Sequence, residues 1–214
     1  MPRIDVDRCR RSFEQDLLII EGFLHKAKSF KVEVGYGTYR SVGIRTLEML
    51  AGLQLLRMHL AWEEFIEAVF LRYMCGCVSH SGFSPLLLAN RERNIEGAMK
   101  ALCGKRKYLG WSPSETLGRA QTQFSNGEPF STAIATASHQ IEDIYTIRNR
   151  FAHCSEYAQA QFRQLVRTEL GYNPPGMTPG RFLLTGKTAG TVHGQTFFQY
   201  YTTILLSVAC IVVP

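Results

Sequence analysis

Apolar residues recur at three- and four-residue intervals along most of this chain, the period of α-helices that bury one face. From Asp7 to about Lys28, the stripe Cys9, Phe13, Leu17, Ile20 and Leu24 predicts a first helix. Phe30-Lys31-Val32-Glu33-Val34-Gly35-Tyr36 alternates apolar and polar instead, and reads as strand until Gly35 and Gly37 break it. A long helical pattern with almost no punctuation runs from about Val42 to Cys75, with Arg45, Glu48, Arg57, Glu63, Glu64 and Glu67 on its polar face. Pro85 is read as opening another helix that ends at Cys103-Gly104, where glycine suits a left-handed cap. Ser112-Pro113-Ser114-Glu115 is a capping box with proline at the first helical position, and its helix stops at Ser125-Asn126-Gly127. Helices are then predicted over Ser131 to about Ala152 and over Glu156 to Leu170, the second closed by Gly171. Tyr172-Asn173-Pro174-Pro175-Gly176 is a linker, Gly180 to Gly194 is glycine-rich with little helical pattern, and an apolar helix ends the chain. The expected fold is mainly α, a helical bundle with a small irregular or two-stranded β appendage.

Composition narrows this picture. With 214 residues, 45% hydrophobic and 11% aromatic, the chain can bury a core and is not a disordered one. A single domain over 1–214 is expected, with an N-terminal helix and strand-like extension (1–41), a core (42–153), and C-terminal helices (154–214) that include a Gly/Pro-rich insertion at 172–194. Twenty-four Lys and Arg against 18 Asp and Glu leave a net charge of +6, which points toward an anionic partner. Met1 to Asp7 is charged and has no apolar core of a secretory signal, so a cytoplasmic location with free thiols is expected. Cys9 and Cys210 then read as small buried hydrophobes. Cys75-Gly76-Cys77, with His80 and Cys103, is the one metal-like cluster, but a second pair at zinc-site spacing is missing and no metal is expected. Phe197 to Val213 carries no charge, yet Gln199, Thr202, Thr203 and Ser207 interrupt it. A membrane span needs about 20 apolar residues, so the favoured reading is a buried terminal helix without a membrane; a membrane-associated effector is the weaker one.

Leu184-Thr185-Gly186-Lys187-Thr188 looks like the end of a phosphate-binding loop, but Gly180 lies one residue too far away and no strand–helix unit surrounds it. Gly104-Lys105-Arg106-Lys107-Tyr108, with Arg91, Arg93 and Lys100 before it, is a basic patch holding an aromatic. It fits a nucleic-acid backbone, and equally a helix end whose cations complement the negative pole. The segment from Ser131 to His153 is more informative. Ile134, Ala137, Ile141, Ile144 and Phe151 mark a stripe that calls for an apolar residue at 148, where Arg148 stands. A guanidinium is not buried without partners, so a polar groove or a partner subunit is expected there. Asn149 and His153 share a helix face one turn apart, with Glu142 two turns before Asn149. Arg148 lies about 140° from His153 on an ideal helix, and only its length lets both reach one phosphate. Arginine grips phosphate bidentately, and a histidine with a pKa near 6.5 exchanges a proton at neutral pH.

Arg148-Asn149-Arg150-Phe151-Ala152-His153 resembles the RxxxxH signature of HEPN domains, with the polar residue that often follows its arginine. Ile141-Glu142-Asp143-Ile144-Tyr145-Thr146-Ile147 leads into it as in that family, and Leu60-Ala61-Trp62-Glu63-Glu64-Phe65-Ile66-Glu67 resembles the long first core helix of the RiboL-PSP-HEPN branch. The resemblance covers about 42–153 and the final helix. It implies a metal-independent endoribonuclease without cofactor, in which a homodimer places two motifs around one cleft and the ribose 2′-hydroxyl attacks the adjacent phosphate. Carried over, His153 is the general acid/base, Arg148 the phosphate and transition-state stabiliser, and Asn149 the residue that orients the site, while Glu142 positions Arg148. Arg150, Arg91, Arg93, Lys100, Lys105, Arg106 and Lys107 would bind RNA. A toxin–antitoxin or anti-phage setting is implied, with tRNA or mRNA as substrate and an antitoxin or defence-system protein as partner. Some relatives carry a tyrosine that a partner enzyme modifies; His153-Cys154-Ser155 lacks it. The alternative is a non-catalytic HEPN module that binds nucleotide or RNA, or docks a partner.

Overall fold

Helix capping and amphipathic spacing put most boundaries within a few residues of the expected ones. The computed structural model describes residues 5–104, 106, 108–187 and 194–214. Among the described residues it has nine α-helices and one antiparallel hairpin: α1 Val6–Ala27, β1 Lys31–Gly35, β2 Thr38–Ser41, α2 Ile44–Met74, α3 Ile95–Cys103, α4 Pro113–Gln123, α5 Phe130–Thr136, α6 Ser138–Ala152, α7 Glu156–Leu170, α8 Pro179–Leu184 and α9 Phe197–Val212. The protein is mainly α with a small β appendage. The Ser112 hydroxyl accepts the Glu115 amide at 3.4 Å and donates to Glu115 Oε2 at 2.8 Å, so the capping box starts α4 as its spacing requires. α7 begins at the Ser155 cap and ends at Gly171 in the left-handed conformation, φ 79°.

Three expectations are corrected. Pro85 does not open a helix: residues 85–94 form a loop in which Leu87 bridges Phe124, and α3 starts only at Ile95. There Asn94 supplies the cap, its side chain accepting the Gly97 amide at 2.7 Å. The run Asn90-Arg91-Glu92-Arg93-Asn94 has no apolar residue with which a helix could bury a face. The single helix over Ser131 to Ala152 is two, because Ala137 leaves helical geometry (φ −133°, ψ 26°) between α5 and α6. Within the glycine-rich stretch lies α8, capped by Thr178 and carrying the buried Phe182 and Leu183. Thr178-Pro179 is a start signal that the glycine content obscured.

The described residues form two compact units. One takes residues up to 15, 60–141 and 204–214, and its core is aromatic. Phe70 lies 5.3 Å from Trp111 and 4.9 Å from both Phe124 and Phe130, and Phe13 stacks on Phe65 at 4.7 Å. The Tyr73 hydroxyl donates to the Val212 carbonyl at 2.9 Å, and Arg10 Nη1 to the Val213 carbonyl at 2.7 Å, tying down the end of α9. The other unit takes 16–59 and 142–203. Its core joins Leu17, Ile20 and Leu24 of α1, Leu55 and Met58 of α2, Ile144 and Ile147 of α6, and Phe162 of α7. A file of rings runs through it, Phe162 to Phe182 at 6.0 Å and Phe182 stacked on Phe197 at 4.2 Å. No helix among the described residues is long and apolar enough to cross a membrane. Cys9 is half-buried and Cys210 exposed, so neither is the fully buried small hydrophobe expected of it. Cys210 sits on the turn of α9 opposite Leu205, Val208, Ala209 and Val212, which take the buried positions.

Candidate functional site

The RxxxxH segment occupies the last two turns of α6 and the elbow that follows. The buried stripe of α6 is Ile141, Ile144 and Ile147, with Phe151 half-buried one turn further on. A step from 144 to 147 serves helical spacing as well as a step from 144 to 148, so the stripe is unbroken and Arg148 flanks it. This corrects the expectation that the apolar stripe runs through position 148; Arg148 is half-buried at its edge. Its Nη1 donates to Asn149 Oδ1 at 3.0 Å, which turns the guanidinium toward the face that Asn149 shares with His153.

His153 closes the helix. Its backbone N–H donates to the Asn149 carbonyl at 2.8 Å, and the Ser155 cap of α7 begins the next helix two residues later. The His153 and Asn149 side chains are exposed. Arg150 Nη1 donates to the His153 carbonyl at 3.3 Å, a cation on the carbonyl-bearing pole of α6. It thereby braces the backbone of His153, whatever else it contacts. Glu142 is exposed and makes no ion pair with Arg148 among the described residues. Six residues put it about 120° around and about 9 Å along the helix from Arg148, and no contact between the two side chains among the described residues supports the positioning role expected for it.

Two neighbours of the motif escaped the sequence reading. His59 of α2 is only 2% exposed, and its ring meets Tyr145 of α6 edge-on at 4.4 Å. Burial first, and the Arg148 charge second, push the His59 imidazole down to about 4, so it is neutral at physiological pH and adds no positive charge beside Arg148. The signal was a histidine set among Leu55, Met58 and Trp62 in an otherwise apolar stripe. Gly52, two turns before His59, receives the Phe151 ring so closely that a Cβ there would collide with it. Contacts 59–145 and 52–151 run in opposite directions along α2 and α6, which makes the helices antiparallel here and seats the motif on α2. A depression lined by Arg45, Met49, Phe151 and Pro179 adjoins the last turn of α6.

Of the residues expected to bind RNA, Arg91, Arg93, Lys100 and Arg106 lie in the other unit and are exposed. Arg91 Nε donates to the Cys75 carbonyl at 2.6 Å. Arg106 and the exposed Tyr108 line an open depression with Gly110 and Glu115. Lys105 and Lys107 lie outside the described residues. Among the described residues no group of three or more His, Cys, Asp or Glu side chains is placed to hold a metal ion. No protein-family model, no curated protein and no solved structure matches the chain.

Proposed function

We propose that this protein is a metal-independent endoribonuclease of the HEPN type, with Arg148, Asn149 and His153 as its catalytic set. The observation that carries the reading is the Arg148–Asn149 hydrogen bond at 3.0 Å. It draws the guanidinium to the face on which His153 stands one turn later, so a cation for the phosphate and a proton carrier share one exposed surface. The neutral His59 behind Arg148 leaves that guanidinium as the local positive charge. In the reaction the ribose 2′-oxygen bonds to phosphorus as the bond from phosphorus to the 5′-oxygen breaks. A base takes the 2′-hydroxyl proton and an acid returns one to the leaving oxygen, giving a 2′,3′-cyclic phosphate and a 5′-hydroxyl. His153 carries the proton and Arg148 stabilises the charge developing on the phosphoryl oxygens. A homodimer completes the cleft, Arg91, Arg93, Lys100 and Arg106 hold the RNA backbone, and the setting is a toxin or defence system in the cytoplasm.

The test is incubation of the purified chain with total RNA in EDTA, beside Arg148→Ala and His153→Ala. Wild type is expected to leave cyclic phosphate ends, and each variant to cleave about 10²- to 10³-fold more slowly. Intact RNA with wild type, or equal cleavage by the variants, defeats the proposal. RNA that is bound but not cut assigns the non-catalytic alternative.

A further inference from the structure

The appendage between α1 and α2 is unusual for what it does not bury. Every described side chain from Lys28 to Ser41 is exposed, so the core explains nothing of this segment's composition. Its charge is concentrated. Between Lys28 and Ser41 stand three cations (Lys28, Lys31, Arg40) against the single carboxylate of Glu33, a net two of the chain's six positive charges. Glu33 is engaged, its Oε1 accepting the Gly37 amide at 3.1 Å across the turn. Lys28, Lys31 and Arg40 have no ion-pair or side-chain hydrogen-bond partner among the described residues. Aromatic rings alternate with these cations. Tyr36 at the tip is 109% exposed and Tyr39 59%. Tyr36 is held at φ 48°, a left-handed conformation that bulky residues avoid and that functional sites retain at a conformational cost.

The pairing fixes the faces. Lys31 opposes Ser41 and Glu33 opposes Tyr39 on one side, while Val32 opposes Arg40 on the other. Both faces therefore mix a cation with an apolar or aromatic group. A membrane-surface element needs its apolar side chains segregated on one face, which this register denies. Cations spaced among exposed rings are what a flexible polyanion with stackable bases calls for. Phe30 anchors the base of the hairpin against Phe23 of α1, rings 5.9 Å apart and edge-on. The Val42 amide donates to the Phe30 carbonyl at 3.1 Å and extends the ladder there.

We propose that the β1–β2 hairpin is a binding arm for single-stranded nucleic acid, with Tyr36 and Tyr39 stacking on bases and Lys28, Lys31 and Arg40 on phosphates. This does not rest on the cleavage reading, and a probe without a 2′-hydroxyl keeps the two apart. Fluorescence anisotropy of the full chain with a labelled 2′-O-methyl oligoribonucleotide of about 12 nucleotides measures the arm directly. Tyr36→Gly is expected to weaken binding roughly 5- to 100-fold while leaving the thermal midpoint unchanged or higher, since glycine accepts the left-handed turn. Lys31→Ala combined with Arg40→Ala is expected to flatten the slope of log affinity against log salt by about 1.4, two phosphate contacts at about 0.7 each. Wild-type affinity and salt slope in both variants would overturn the assignment. So would hairpin-dependent binding to phosphatidylserine vesicles without binding to the oligonucleotide.

Discussion

Burying His59 next to Arg148 gives the protein a titration that solution measurements can read. The folded chain holds this imidazole at about 4, whereas the unfolded chain protonates it near the ordinary value of 6.5. Below 6.5 the unfolded state binds the extra proton, so stability is whole above that pH, falls as the pH drops, and levels off below about 4. The shift corresponds to about 3 kcal/mol. In His59→Leu the loss of unfolding free energy between about pH 7 and about pH 4, measured in urea, should be smaller by that order. An identical pH dependence in variant and wild type would show that His59 is not buried as described. Arg148→Ala removes the lesser of the two causes of the shift. It should raise the His59 pKa in an NMR titration, a readout independent of any RNA cleavage. The histidine was visible in the sequence, but its neighbour was not, because nothing along α2 says which residue of a distant helix comes to lie beside it.

Helices in this chain start and stop where their caps and glycines direct, and this is why α1, α2, α4, α7 and α9 were legible almost to the residue. Packing of one helix on another is a separate matter, and two glycines distinguish the cases. Gly22 in α1 has no atom within 4 Å of the position a Cβ would take, so Gly22→Ala should stabilise the protein by about 0.5–1 kcal/mol through helix propensity alone. Gly52 in α2 meets the Phe151 ring, so the same substitution there should destabilise by about 1–3 kcal/mol from overpacking. Under the proposed function it should also slow RNA cleavage, because Phe151 lies two residues before His153 in the turn it would displace. Urea unfolding of the pair decides it: equal effects of the same sign would mean that α2 and α6 do not approach at Gly52. Ser112→Ala should cost about 1 kcal/mol, the usual worth of an N-cap, with no effect on cleavage.

The composite cleft of the proposed function requires two chains. Sedimentation velocity should find a species of about 48 kDa, twice the chain's 24.2 kDa. Undiminished cleavage by a 24.2 kDa monomer would remove that requirement. The positive surplus, first a diffuse hint of an anionic partner, includes Lys28, Lys31 and Arg40 on and beside the exposed hairpin, a segment that the alternation of residues 30–36 marked as strand without showing that it buries nothing. That division runs through the whole protein. Features set by residues a few positions apart, such as helical period, caps, turn glycines and the order Arg148-Asn149-His153, were open to reading from the chain alone. They depend only on local geometry, which each residue type constrains by itself. Which phase of α6 faces the core, the break at Ala137, the pairing of His59 with Tyr145 and the seat of Phe151 on Gly52 came only with the tertiary structure. A helix's own pattern spaces its side chains but does not name the surface that covers them, and that choice belongs to packing between segments far apart in the chain.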